Sequence, residues 1–249
     1  MHRISRRLLL LLACITAAVR LQAEPSTTGK GAIDELIPWL LKENGELREV
    51  PFSQVIFDTT GKRVVPVEKE KPVHQRVIKA IAAALDDVVK GLNAPTSPIQ
   101  KIARINEVSS HFEDGVRERL NSVAGLQCEI PPAADGHLQR SGYPDLKLTD
   151  KESGSIFYLD PKLYAQGSRD SSFRTFYFEP KVATNKVRDD AVHLILGFEH
   201  EPREPAGGWH FTRWDIVDLS HFNVKLKAEF QGSNHDMYRP EAIVATSSK

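Results

Sequence analysis

The chain has 249 residues, 41% of them hydrophobic, which leaves room for one large domain or two small ones. Its 33 basic and 33 acidic side chains balance, so it does not coat nucleic acid by bulk electrostatics, and any such contact needs a local basic groove. Past the first two dozen residues no stretch is apolar enough to cross a membrane, and no repeat or low-complexity tract is evident.

Arg3, Arg6 and Arg7 precede an uncharged, mostly apolar run from Leu8 to Val19 that Arg20 closes. This pattern predicts an exported protein, periplasmic or secreted, with a signal peptide over 1–23 and cleavage after Ala23. Ser5-Arg6-Arg7-Leu8-Leu9 resembles a twin-arginine signal. With four basic residues in that segment, the remainder keeps 29 basic against 33 acidic, a formal charge of −4. It also keeps one cysteine, Cys128, which excludes an intramolecular disulfide. Residues 24–34 read as a linker, and 35–249 as a single domain.

Val55-Ile56-Phe57 and Val64-Val65 flank Asp58-Thr59-Thr60-Gly61, a pattern that predicts a small hairpin. Val77, Ile81, Leu85 and Val88 recur at helical intervals within 73–90. Ser97-Pro98 reads as an N-cap with proline at the first helical position. The helix it opens carries Ile102, Ile105, Val108, Phe112, Val116 and Leu120 on one stripe, with Glu107, His111, Asp114 and Glu118 on the opposite flank. From Leu126 onward the texture turns to strands, expected near 143–149, 155–163, 173–179, 191–199 and 223–230. Helices first and a sheet after predict an α+β or mixed α/β domain.

The informative stretch is Tyr143-Pro144-Asp145 through Asp160-Pro161-Lys162. If Lys151-Glu152-Ser153-Gly154 is a hairpin loop, paired positions sum to 305 and Asp145 lies across from Asp160. Alternation then segregates the faces, with Leu146, Leu148, Phe157, Leu159 and Leu163 on one side. Asp145, Lys147, Thr149, Tyr158, Asp160 and Lys162 fall on the other. Directly opposed carboxylates lie about 5 Å apart and repel each other, so a cation between them is expected. A hard ion such as Mg²⁺ (or Mn²⁺) prefers one or two carboxylates completed by water and phosphate oxygens.

Pro144-Asp145 followed by Asp160-Pro161-Lys162 resembles the PD-(D/E)xK motif of the restriction-endonuclease-like nucleases. The resemblance implies a mixed central sheet flanked by helices, with its core over about 98–230. It implies a metal-dependent nuclease that hydrolyses phosphodiester bonds of nucleic acid, DNA or RNA. In that family the two acids bind Mg²⁺ and the lysine assists the attacking water, which assigns those roles to Asp145, Asp160 and Lys162. A helix before the motif often supplies a further acid, which gives Glu107 a role. Glu179-Pro180-Lys181 echoes the second half of the motif, so Glu179 and Lys181 form an alternative pair. Arg140, Arg174, Lys186 and Arg188 are the expected nucleic-acid contacts. The competing reading is a non-catalytic extracytoplasmic binding domain whose hairpin only mimics the motif. His193, His200, His210 and His221 lack the spacing of a zinc motif, and Trp209 and Trp214 fit core packing or a stacking platform.

Overall fold

The computed structural model describes residues 30–42, 46–203 and 207–247. The chain divides into two units, Met1–Gly45 and Glu46–Lys249. In the first, helix α1 (Lys30–Lys42) occupies the second half of the stretch read as a linker. The proposed signal segment lies outside the described residues.

The second unit opens with strand β1 (Glu46–Pro51) and helix α2 (Phe52–Thr60). Sequence texture predicted a strand at Val55–Phe57, and the structure corrects this to helix. Phe52 and Ile56, four residues apart, bury one helical face completely. Asp58-Thr59-Thr60-Gly61 is the helix end, where Gly61 takes a left-handed φ of 69° and donates its N–H to Phe57 O. After β2 (Val64–Val65) comes α3 (Pro72–Leu92), whose Val77, Ile81, Leu85 and Val88 are buried as their spacing requires. Ser97-Pro98 opens only a short 3₁₀ turn, Pro98–Lys101, and the long helix α4 (Ile105–Asn121) begins after a break.

The strands are β3 (Leu126–Glu129), β4 (Leu146–Asp150), β5 (Ile156–Ala165), β6 (Ala191–His200), β7 (Phe211–Asp218) and β8 (Asn223–Lys227). A one-turn helix α5 (Asn234–Met237) follows. Six strands form one mixed sheet in the order β2-β6-β5-β4-β3, with β7 added along β6. β5 and β6 run parallel and β4 and β5 antiparallel, while β1 and β8 form a separate two-stranded sheet. The fold is therefore α+β with a mixed central sheet flanked by helices. It draws on residues well before 98, since β2, α2 and α3 all belong to it.

Two expectations about strands are corrected. Residues 173–179 join no strand of either sheet; Phe176 and Phe178 instead pack edge-on against Phe52, while Tyr177 between them stays exposed. The stretch alternates as a strand does but has no ladder. β7 was not expected, because Thr212, Arg213 and Asp215 break the apolar pattern of a strand that is largely exposed.

Each face of the sheet has its own core. On one side α3 and α4 pack over Leu146, Leu148, Phe157, Leu159, Leu194, Leu196 and Phe198. On the other, Tyr158 joins Phe52, Ile56, Tyr143, Val187, Ala191 and Leu219. The face read as polar is thus covered as well. Trp209 belongs to the first core and donates its indole N–H to Ile102 O, while Trp214 is partly buried on β7 and donates to Asp86. Cys128 is buried, and burial pushes its thiol up to about 12, so it behaves as a small hydrophobe.

Gly115 interrupts the apolar pattern of α4 for a packing reason. A Cβ there would meet Val88 Cγ2 of α3 at 3.2 Å. Gly115→Leu should therefore wedge the two helices apart and lower the unfolding free energy by about 1–3 kcal/mol, as overpacked cores do. Urea denaturation of the two proteins measures it, and an unchanged midpoint would contradict the close contact.

Candidate active site

The β4–β5 hairpin fixes the geometry of the site. Gly154 accepts the left-handed φ of 72° that the turn needs and donates to Asp150 O. The Asp150 carboxylate takes hydrogen bonds from Ser153 N, Ser153 Oγ and Arg76, and these hold its pKa low against the cost of burial. Asp150 N bonds Ser155 O, and the ladder runs Leu148↔Phe157, Lys147↔Tyr158, Leu146↔Leu159. Every pair sums to 305, the expected register, and the next pair in that series is Asp145 and Asp160.

Asp145 and Asp160 are both withdrawn from water, with side chains 15% and 3% exposed. Lys162 Nζ bridges them, 2.5 Å from Asp160 Oδ2 and 3.8 Å from Asp145 Oδ2. Asp160 Oδ2 makes this ion pair but no directed hydrogen bond. Burial, followed by the charge of Asp160, pushes the Asp145 carboxyl up to about 8, with the charge of Lys162 working against them. For Lys162 burial works toward neutrality, yet Asp160 and Asp145 outweigh it and keep the ammonium charged.

A third acid reaches this pair, and it is not the expected one. Glu107 is exposed in the first turn of α4. Glu113, six residues further, is close enough for Asp145, Lys162 and Lys186 to feel its charge, and burial raises its own pKa. At 100° per residue Glu107 points away from the apolar stripe, whereas Glu113 borders it and is half-buried. Position relative to the stripe was the available signal.

The other expected residues divide. Glu179 and Lys181 pair with each other at 2.8 Å on the surface of the β5–β6 crossover, on no strand, and are not brought to Asp145. Arg140 is bound to Asp114 and lies 4.0 Å from Glu113. Arg174 is exposed over the ring of Tyr177. Arg188 is exposed on the rim of a cavity of about 340 Å³ that Lys147, Tyr158 and Asp189 also line. Lys186 is corrected: it is 1% exposed at the wall of the same cavity, and its ammonium is bonded to three backbone carbonyls, which leaves no donor for a phosphate. Burial lowers its pKa, while the nearby carboxylates work in the opposite direction.

Sequence reasoning also missed the support behind Asp145. Tyr143 stacks on His193 of β6, with its hydroxyl 2.7 Å from His193 Nδ1. Burial drives His193 down to about 3, so the ring is neutral. His200 and His210 bond Glu201 instead, and the four histidines do not converge.

The donor set suits a hard divalent ion. Two adjacent carboxylates lie in a dry site, and one oxygen lacks a directed hydrogen bond. Among the described residues no three His, Cys, Asp or Glu side chains already form a ligating group, so water and phosphate oxygens would complete the shell.

A family model described as the type II restriction enzyme MjaV family matches residues 45–241. The chain is also 28% identical over 208 residues to the type II restriction enzyme MjaV of Methanocaldococcus jannaschii, covering 80% of this chain and 89% of that protein. These matches overturn the expectation of export, because a restriction enzyme acts on DNA within the cell. Among the described residues no helix is long and apolar enough to cross a membrane.

The raised Asp145 pKa has a stability consequence. Between the ordinary value of 3.8 and about 8 the folded chain holds a proton that the unfolded chain has lost. The stability this group contributes is therefore full below the lower value and drains away as pH rises through the upper one. In chelator, the melting temperature of the wild type should fall from about pH 5 to about pH 8. Asp145→Asn should flatten that decline and melt higher at the alkaline end. Parallel slopes for the two proteins would show that Asp145 ionises freely.

Proposed function

We propose a function from one premise: the chain belongs to the type II restriction enzyme MjaV family. It is a Mg²⁺- or Mn²⁺-dependent endonuclease that hydrolyses phosphodiester bonds of DNA, with a centre of the PD-(D/E)xK type. The observation that carries this is the bridging of two buried, opposed carboxylates by a single lysine on the hairpin the motif requires.

Asp145 and Asp160 would hold the ion, with Glu113 as the nearest further acid. A divalent cation bound there supplies positive charge to the reacting phosphate and acidifies attacking water. The rest falls to the chain's own groups. Lys162 is an ammonium between the carboxylates in the metal-free protein. With the carboxylates engaged elsewhere, its Nζ would hold the attacking water and offset charge growing on the phosphate. The neutral His193–Tyr143 pair backs the turn before Asp145, so the carboxylate is positioned before substrate arrives. Arg174 and Arg188, both exposed, supply phosphate contacts despite the even charge of the whole chain.

Incubation of the protein with plasmid, with Mg²⁺, Mn²⁺ or chelator, tests this reading. Cleavage should require the metal, and an ion at a hundredfold over its dissociation constant should stabilise the fold by about 2.7 kcal/mol. Lys162→Ala should lose cleavage and keep most of that stabilisation, whereas Asp160→Asn should lose both. Glu113→Gln should weaken metal-dependent cleavage and Glu107→Gln should leave it unchanged. A wild type with neither cleavage nor a metal-dependent melting shift would end the proposal.

A further inference from the structure

Near its end the crossover from β5 to β6 carries a lysine that is almost wholly buried at the wall of the cavity beside Arg188. Lys186 is 1% exposed, and its Nζ donates to three backbone oxygens: Arg140 O at 3.2 Å, Gly142 O at 2.8 Å and Pro144 O at 3.2 Å. An ammonium has three protons to donate, so its capacity is fully used. A buried ammonium is costly unless paired and bonded, and an apolar side chain of similar size would fill the same space without that cost.

The acceptors share a feature. All three lie in the segment that enters β4, and the last is the carbonyl directly before Asp145. Residues 139–145 belong to no helix or strand, so no ladder holds them. The Gln139 amide adds one bond to Thr184 O of the same crossover. On the other side of Lys186, Val187 and Ala191 are packed into the second core, which anchors the crossover end itself.

We propose that Lys186 is a positioning residue for the metal site: it clamps the three carbonyls in front of Asp145 and thereby fixes that carboxylate opposite Asp160. This rests on the endonuclease reading and extends it to a residue that touches neither DNA nor the ion. Arg140 is tied to Asp114 and Tyr143 to His193, so without the clamp it is the Pro144 carbonyl and Asp145 beyond it that sample other conformations, and each binding event must first select the one in which the two carboxylates meet. The loss then appears in metal affinity and turnover, not in DNA binding.

Calorimetric titration of Mg²⁺ into wild type, Lys186→Met and Leu85→Ala, all well below their melting temperatures, tests this. Leu85 lies in the core under α3, so its replacement destabilises the fold without touching the 140–145 segment. Lys186→Met should bind Mg²⁺ about tenfold to a hundredfold more weakly, the range seen when partners of metal ligands are removed. Its kcat should fall while KM for DNA holds, and Leu85→Ala should keep the wild-type affinity. Wild-type Mg²⁺ affinity in Lys186→Met, or an equal loss in Leu85→Ala, would overturn the proposal while leaving the endonuclease intact. If Lys186→Met fails to fold, Lys186→Gln, which keeps two donors but no charge, is read by the same criteria. A wild type that binds no Mg²⁺ would remove both this inference and the function beneath it.

Discussion

Asp145 and Asp160 face each other from neighbouring strands, nearly out of water, with one ammonium between them. Two buried like charges and a single counter-charge do not balance, and the molecule answers by keeping a proton on Asp145. In the function proposed above, proton, lysine and divalent cation would compete for the same two carboxylates. The first two maintain the metal-free fold. The third would neutralise both acids and also leave Lys162 free to act on water and phosphate.

Such a site survives only if the strands cannot slip. A one-residue shift of β4 along β5 would send Leu146 and Leu148 into the second core and turn Asp145 to the face opposite Asp160. Both faces are packed, so the slip would disrupt two cores at once. The helical layer also serves the site. Gly115 lets α4 approach Val88 of α3 closely, and the same helix carries Glu113 to the carboxylates. On the other face the end of the crossover supplies Lys186 and Val187, and Asp189, which takes hydrogen bonds from Lys147 and Tyr158 of the β4–β5 hairpin.

The hairpin, its register and the Asp145–Asp160–Lys162 group were legible in the sequence, because a four-residue turn and a period of two leave little freedom. The two long helices were legible for a similar reason, since a stripe of Val, Ile, Leu and Phe at helical spacing has one reading. What the sequence obscured depends on tertiary direction. Val55-Ile56-Phe57 has strand-like residues but sits in a helix, because burial of Phe52 and Ile56 on one side outweighs local preference. Phe176 and Phe178 alternate like a strand yet plug a core instead of joining a ladder. Glu107 and Glu113 differ only in which side of α4 they occupy, and Lys186 carries the charge of a DNA contact but lies in the interior. The export reading failed for another reason: a short basic and apolar run has no fold-level constraint to check it.

Anomalous scattering from a crystal soaked in Mn²⁺ tests most directly whether the two carboxylates form one divalent-metal site. A peak within contact of both Asp145 and Asp160 is expected, with Lys162 Nζ displaced from Asp160. A peak elsewhere in the chain, or none with the aspartates and lysine still in contact, would contradict it.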